Sequence, residues 1–141
     1  GLAAANFMPV VGRVAEQYPN LKLIVDHMGR GSGLVDDAAW ETLPQLLDLA
    51  RFPNVAVKAS GAPSYSSQSY PYQNIHDHIH KIYDAFGPDR MFWGTDITRM
   101  PCSWKECVTL FTEELTWLTD SDKELIMGRA LCKWIGWDVG M

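Results

Sequence analysis

The architecture of this 141-residue chain follows from one short run, Arg90-Met91-Phe92-Trp93-Gly94-Thr95-Asp96. Two further runs share its apolar character: 21–26, which is followed by His27, and 54–59, which is followed by Ser60. Pro, Asn or Gly bounds the runs, as is typical of buried parallel strands. They begin about 33 and 36 residues apart, which is the length of a strand–helix unit.

Helical patterns fill the gaps between these runs. Apolar residues at helical spacing predict four helices with the stripes Phe7, Val10, Val11, Val14 and Tyr18; Leu43, Leu46, Leu47 and Ala50; Ile75, Ile79, Ile82, Tyr83 and Phe86; and Trp104, Val108, Phe111, Leu115 and Leu118. A last helix is predicted over 122–134. Pairs with capping-box spacing predict three helix starts, at Thr42 with Gln45, Ser103 with Glu106, and Ser121 with Glu124.

Strands that alternate with helices predict an α/β fold with parallel strands. Two architectures meet this pattern, a doubly wound sheet and part of a (β/α)8 barrel. A complete barrel takes roughly 250 residues, and three strands cannot close one. The chain opens on Gly1 and enters a helical pattern within a few residues. We therefore expect residues 1–141 to form a single partial domain whose N-terminal half is absent.

Composition and charge argue against several classes of function. The chain is 47% hydrophobic and 21% charged, which is ordinary for a globular protein. Its net charge of −5 and its lack of Lys or Arg runs argue against a nucleic-acid partner. No apolar stretch approaches the roughly 20 residues that span a bilayer. Cys102, Cys107 and Cys132 lack metal-type spacing and predict buried thiols in a cytoplasmic protein. Whether the protein forms a homo-oligomer is left open by the sequence.

Polar side chains stand where the predicted strands end. His27 follows the first run, Ser60 the second, and Asp96 ends the third. In parallel α/β folds the carboxyl ends of strands carry the chemistry. An imidazole binds a divalent metal or moves a proton near neutral pH, and a carboxylate binds metal or accepts a proton. A hydrogen-bonded histidine and a capping aspartate are the structural alternatives, but their joint occurrence in one sheet favours function.

Three segments of the chain resemble the amidohydrolase-related family, which comprises metal-dependent hydrolases and decarboxylases of TIM-barrel fold. Residues 23–29 resemble its strand-six signature and residues 54–61 its strand seven. Residues 86–96 resemble the approach to strand eight and the aspartate that ends it. The resemblance covers about residues 5–137 and implies the C-terminal part of the barrel, with strands six to eight.

The resemblance implies roles for two residues. Asp96 matches a metal ligand and proton acceptor, and His27 matches a histidine that lies beside the metal or polarises the substrate. The implied cofactor is a divalent metal ion, with zinc expected. The implied reaction is attack of water on a lactone, ester or amide carbonyl of a small carboxylic-acid substrate. Decarboxylation of an aromatic or unsaturated acid is one alternative, and an inactive fragment or non-catalytic domain is another.

The family's other ligands are a His-x-His pair on strand one and a histidine on strand five. No histidine precedes His27 in this chain. Many relatives also have a second Gly where Arg30 follows Gly29, so we expect a different rim there. The missing ligands predict that the chain by itself holds an incomplete metal site.

Other residues are candidates for binding substrate. Arg99 lies three residues beyond Asp96 and is placed to hold a substrate carboxylate, with a surface salt bridge as the alternative. Ser60 and Tyr65 offer hydroxyls near the same edge. The segment 61–72 is longer and more polar than an ordinary strand–helix loop. It either lines a substrate pocket or forms a mobile surface loop.

Three histidines alternate on the predicted third helix. His76 and His80 are one turn apart, as two ligands of one metal would be. Both flank the apolar stripe and His78 lies opposite it, so a solvated or boundary helix face is favoured over a metal site.

Overall fold

The computed structural model describes the backbone of residues 2–138 and 140, with side chains from Phe7 onward within that range. Its helices and strands, in chain order, are α1 (Leu2–Gln17), β1 (Leu23–Val25), α2 (Asp36–Trp40), α3 (Leu43–Asp48), β2 (Val55–Ser60), α4 (Gln73–Phe86), β3 (Met91–Gly94), α5 (Trp104–Thr109), α6 (Asp120–Glu124) and α7 (Ala130–Ile135). Wide π turns continue α5 over Leu110–Glu114 and α6 over Leu125–Arg129. Within the described residues, no helix has the length and apolar character needed to cross a membrane.

The three strands form one parallel sheet in the order β1-β2-β3. Val25 of β1 lies opposite Val57 of β2, and Ser60 of β2 lies opposite Gly94 of β3. Their carboxyl ends therefore lie along one edge of the sheet. The predicted α/β class and the parallel strands are confirmed, with strand bounds shifted by one or two residues.

The two faces of the sheet are covered by different parts of the chain. One face packs against α1, α3 and α4 and belongs to the main core, which includes Val25, Val57 and Met91. We call the other the inner face. Its lower part holds Ala56 and Phe92, which pack under Ala130 and Trp134 of the C-terminal helix. Because side chains alternate along a strand, Lys58 and Ser60 of β2 and Gly94 of β3 share this inner face.

Two polar side chains tie the amino ends of the strands to the helices before them. The side-chain amide of Asn54 lies 2.9–3.1 Å from the carbonyl oxygens of Ala15, Tyr18 and Leu21. The guanidinium of Arg90 donates to the carbonyl oxygens of Ala50, Phe52 and Val55. Both side chains satisfy backbone groups that would otherwise lie buried without partners.

The predicted buried face of α1 is confirmed only at Val11, which is buried. Phe7 and Tyr18 are 60% and 53% exposed, and the helix buries Met8 and Ala15, which the predicted stripe did not include. This helix carries apolar residues around much of its circumference, so more than one stripe has helical spacing. Contact with the sheet and α3 selects the stripe that is buried.

Two of the three predicted capping boxes are also wrong. Ser103 and Glu106 form theirs as predicted at the start of α5. Thr42 makes no side-chain capping bond. The last helix begins earlier than predicted, with Thr119 and Asp122 as the capping pair. Thr119/Asp122 and Ser121/Glu124 have equivalent spacing, so spacing alone does not decide between them.

Candidate active site

The side chains predicted from the three strand ends meet at the carboxyl edge of the sheet. Nδ1 of His27 lies 2.7 Å from Oγ of Ser60. On the other side of the ring, Nε2 of His27 lies 3.5 Å from Oδ2 of Asp96. His27 and Asp96 keep 29% and 23% of their side chains exposed, whereas Ser60 is 1% exposed. The imidazole therefore has a buried partner behind it and a half-buried carboxylate in front.

Backbone turns aim these side chains. Val25 belongs to the main core, so strict alternation would direct His27 toward that core as well. His27 instead has a φ of 51° in the left-handed region, which turns its ring toward the inner face. Asp96 has a φ of 55°. Such conformations are strained for residues other than glycine and cluster at functional sites.

The close approach of β3 to Ser60 requires a residue without a side chain. A Cβ placed on Gly94 would lie 3.2 Å from Cβ of Ser60, which is tighter than an ordinary contact. The site therefore uses Gly94 to let Ser60 stand beside His27.

Arg99 and Tyr65 lie on the far side of Asp96. Nη1 of Arg99 lies 3.1 Å from Oδ2 of Asp96, the same oxygen that faces His27. The guanidinium also lies 6.0 Å from the centre of the Tyr65 ring. Tyr65 is fully buried, burial raises its pKa, and its hydroxyl has no hydrogen-bond partner among the described residues. Asp96 is thus flanked by an imidazole and a guanidinium.

The His27–Asp96 pair has the spacing of two ligands of one metal ion. Two ligand atoms at tetrahedral zinc lie about 3.4 Å from each other, given bond lengths near 2.1 Å. The observed separation of Nε2 and Oδ2 is 3.5 Å, so the pair fits a shared ion. Among the residues that the structure describes, no third His, Cys, Asp or Glu joins them in a metal-sized cluster.

Comparison with known proteins assigns the family. A model of the amidohydrolase family matches residues 4–130. The chain belongs to the amidohydrolase family. This membership confirms the resemblance drawn from residues 23–29, 54–61 and 86–96.

Individual relatives of this amidohydrolase chain are matched over only part of their own length. It is 36% identical over 87 residues to 4-sulfomuconolactone hydrolase from Hydrogenophaga intermedia, over 59% of this chain and 27% of that protein. An amidohydrolase from Burkholderia multivorans with bound zinc matches 94% of this chain and 50% of its own, with 22% identity and a TM-score of 0.77. A Pseudomonas putida protein assigned as 2-pyrone-4,6-dicarboxylic acid hydrolase matches 96% of this chain and 50% of its own, with 23% identity and a TM-score of 0.68. The chain spans half or less of the length of these relatives.

One residue pair of this amidohydrolase was missed by the sequence analysis. Nζ of Lys58 lies 2.6 Å from Oδ1 of Asp26. Asp26 directly follows the last residue of β1. Lys58 stands two residues before Ser60 on the same strand, so strand periodicity places both on one face. That periodicity was the signal in the sequence, but the partner Asp26 lies on another strand.

Arg30 lies inside the protein and not at the rim of the site. It is 5% exposed and donates to the carbonyl oxygens of Met28, Ala39 and Thr42. Its guanidinium also stacks over Trp40 at 5.6 Å. The residue that departs from the usual second Gly of the family therefore ties the His27 turn to α2 and α3.

The histidines of α4 are engaged in packing. His78 stacks on Trp40 at 4.7 Å, and His80 stacks on Trp117 at 4.2 Å. Nε2 of His76 donates to the carbonyl oxygen of Pro71 at 2.6 Å. The three rings face different partners and are each partly exposed, as expected of a helix face at the boundary between core and solvent.

The carboxylate of Asp36, which we call the Asp36 hub, holds the loop over residues 61–72. Oδ1 of Asp36 accepts from the backbone amide of Ser67 and the side-chain amide of Asn74, and Oδ2 accepts from the Ser67 hydroxyl. Tyr65 and Tyr72 of the loop are buried. The loop is therefore held against the rest of the chain, and its role in lining a substrate pocket stays a prediction.

The Asp36 hub predicts a pH-dependent stability. The Ser67 hydroxyl, the Ser67 amide and then Asn74 hold the pKa of Asp36 below its ordinary value. The stabilisation is therefore present above about pH 4 and is lost as the pH falls through the folded-state pKa. We expect Asp36→Asn to lower the urea midpoint at pH 7 and to lower it by less at pH 3.

Ser67→Ala is the matched control for this experiment. It removes the principal donor, so the effect of Asp36→Asn on the urea midpoint at pH 7 should be smaller in the Ser67→Ala background than in the wild type. An Asp36→Asn effect of equal size at both pH values would contradict the assignment.

Proposed function

We propose that the whole protein, to which this chain contributes a part, hydrolyses the lactone or ester carbonyl of a small acidic substrate. The observation that carries the proposal is the facing pair of His27 Nε2 and Asp96 Oδ2 at the carboxyl edge of the sheet. The similarity to 4-sulfomuconolactone hydrolase supports a lactone over an amide. The same attack of water on a carbonyl group would also cleave an amide bond.

The proposed architecture is part of a (β/α)8 barrel. In this proposal β1, β2 and β3 are strands six, seven and eight, and residues 1–141 are one partial domain. The TM-scores of 0.77 and 0.68 to chains twice as long support it. A cytoplasmic location stays a prediction from the sequence alone, and the oligomeric state stays open.

Asp96 is proposed as the proton acceptor. Its Oδ2 faces the imidazole, and the side chain keeps 23% of its surface exposed. An attacking water and a carbonyl group would meet beside it, above the strand ends. Arg99 orients this carboxylate through Nη1, and we propose that other nitrogens of its guanidinium hold a substrate carboxylate. Tyr65 supports the guanidinium through its ring.

His27 and Asp96 are also the residues that would hold a divalent metal ion, with zinc the expected metal. When bound, such an ion supplies Lewis-acid polarisation of the carbonyl oxygen. The zinc-bound relative supports this assignment. The family's remaining ligands would come from outside this chain.

The tautomer of His27 separates its two proposed roles. If Nδ1–H donates to Ser60 Oγ, the lone pair of Nε2 is free to bind metal. If the Ser60 hydroxyl donates to Nδ1, Nε2–H is free to stabilise the oxyanion or protonate the leaving oxygen. In both cases Oγ of Ser60 holds the imidazole ring through Nδ1, at 2.7 Å. Ser60 is therefore a positioning residue.

Substrate profiling of the purified whole protein tests the proposal. We expect ring opening of an acidic lactone such as 2-pyrone-4,6-dicarboxylic acid, with loss of the ring absorbance and release of one proton for each carboxylic acid formed. Carbon dioxide release without consumption of water would instead establish decarboxylation. No turnover of lactones, esters or amides by metal-loaded protein would establish a non-catalytic domain.

A further inference from the structure

One carboxylate oxygen of the candidate active site has two competing neighbours. Oδ2 of Asp96 faces Nε2 of His27 at 3.5 Å, the spacing of two ligands of one metal ion. The same oxygen accepts a hydrogen bond from Nη1 of Arg99 at 3.1 Å. A guanidinium at this oxygen repels a divalent cation and competes with it for the negative charge. An ion at Oδ2 therefore favours a position of Arg99 away from Asp96.

The hydroxyl of Tyr65 offers Arg99 a second partner. Tyr65 is fully buried, and its hydroxyl has no hydrogen-bond partner among the described residues. Burial raises the pKa of Tyr65, and the positive charge of Arg99 opposes this rise, so the guanidinium lies near the hydroxyl. Buried polar groups without a partner destabilise a fold and are therefore rare in native proteins. The unused hydroxyl thus lies beside the one cation that an ion at Asp96 would displace.

The ring of Tyr65 is held in place by its neighbours. It packs edge-on against Trp40, with ring centres 6.1 Å apart and an angle of 75° between the ring planes. Trp40 in turn stacks on His78 at 4.7 Å and lies under the guanidinium of Arg30 at 5.6 Å. The hydroxyl is therefore a fixed acceptor. Arg99, with the longer and less buried side chain, is the partner that moves.

We propose that Tyr65 is a positioning residue that accepts a hydrogen bond from Arg99 when Asp96 binds a divalent metal ion. The pairing of Nη1 with Oδ2 then belongs to the state without the ion. In the ion-bound state Arg99 donates to the Tyr65 hydroxyl, and Oδ2 is left to the ion. This inference rests on the proposed function and adds a device that couples the metal site to the position of a substrate-binding arginine.

The zinc affinity of the whole protein, measured by competition with a chelating indicator, tests this inference. Tyr65→Phe keeps the ring and removes only the hydroxyl. We expect this variant to bind zinc about 10- to 100-fold more weakly, the size of one hydrogen bond to a charged group, because Arg99 loses its second partner. The free energy of unfolding without zinc should stay equal or rise, because the metal-free state loses no hydrogen bond.

Two further variants show whether the hydroxyl acts through Arg99. Arg99→Met should bind zinc more tightly than wild type, because the competing charge is gone. In the Arg99→Met background, Tyr65→Phe should have no further effect on zinc affinity. Tyr72→Phe is the matched control, since it removes another buried tyrosine hydroxyl of the same loop, beside Cys102. It should leave the zinc affinity unchanged.

Three results would overturn the inference. The first is a zinc affinity of Tyr65→Phe equal to that of wild type. The second is an equal effect of Tyr65→Phe with and without Arg99, because the hydroxyl would then act without the arginine. The third is a lower free energy of unfolding of Tyr65→Phe without zinc, because the hydroxyl would then already have a partner in the metal-free state.

A lactone assay on the same samples keeps the inference separate from the reaction. If wild type hydrolyses the lactone but binds no zinc, or binds it without the expected pattern among the variants, the inference fails and the hydrolase proposal stands. If the expected pattern occurs without turnover of lactones, esters or amides, the inference stands and the hydrolase proposal fails. If wild type neither binds zinc nor hydrolyses these substrates, both fail.

Discussion

Asp96→Asn is expected to lower kcat for lactone hydrolysis by about 100- to 10,000-fold in the whole protein, the range for loss of a positioned proton acceptor. The amide keeps the size of the side chain and still offers Arg99 an oxygen at the position of Oδ2, which lies 3.1 Å from Nη1. What disappears is the negative charge between Arg99 and His27 and the ability to take a proton. The measurement is kcat and KM at saturating metal.

Asp77→Asn is the matched control for the Asp96 variant. Asp77 pairs with Lys81 at 2.8 Å on the exposed side of α4, so its loss should leave kcat unchanged. Urea midpoints of both variants show whether either has unfolded. An Asp96→Asn enzyme that is folded and retains more than about a tenth of the wild-type kcat would contradict the assigned role.

Arg30→Met is expected to destabilise the chain by about 2–4 kcal/mol. The change leaves the carbonyl oxygens of Met28, Ala39 and Thr42 without their donors and removes the stacking on Trp40. Burial lowers the pKa of Arg30 to about 10, so relief of the buried charge offsets part of the loss. Urea unfolding at pH 7 gives the free energy of unfolding of each variant.

Arg51→Met provides the contrast for Arg30. Arg51 is 62% exposed and pairs with Asp48 at 2.8 Å, so its removal should change stability by no more than about 0.5 kcal/mol. Arg30→Lys should recover little, because an ammonium cannot span three carbonyl oxygens in the planar geometry of a guanidinium. Equal stability of Arg30→Met and wild type would show that the buried contacts contribute nothing net.

The local sequence pattern was sufficient to predict those residues of the site whose position depends on one segment of the chain. Asp96 and His27 each follow a short apolar run, and parallel strands bring the ends of such runs to one edge. Ser60 was placed there by the same argument, although its bond to the ring is a tertiary contact that the pattern does not contain. Helix α4 was predicted well because its buried stripe, which includes Ile75, Ile79 and Ile82, is sharply one-sided.

Other features of the fold depend on which helix or strand packs against a given residue. The face of α1 could not be chosen because several stripes on it are apolar, and contact with the sheet decided for Met8 and Ala15. Arg30 follows His27 in the same turn, but its partners belong to α2 and the segment before α3. Lys58 finds its partner, Asp26, only because β1 and β2 lie side by side.

The sequence by itself determined the parallel α/β plan and the placing of His27 and Asp96 at strand ends, because periodicity and strand-end position are properties of contiguous residues. The family followed from the resemblance of residues 23–29, 54–61 and 86–96. The tertiary structure decided that Nε2 of His27 faces Oδ2 of Asp96 at 3.5 Å, with Ser60 bonded to the other nitrogen of the ring. It also decided that Lys58, two residues before Ser60, pairs with Asp26. The physical reason is the left-handed backbone at His27, which strand alternation does not predict. It rotates the imidazole from the core side to the inner face, where the other strands supply its partners.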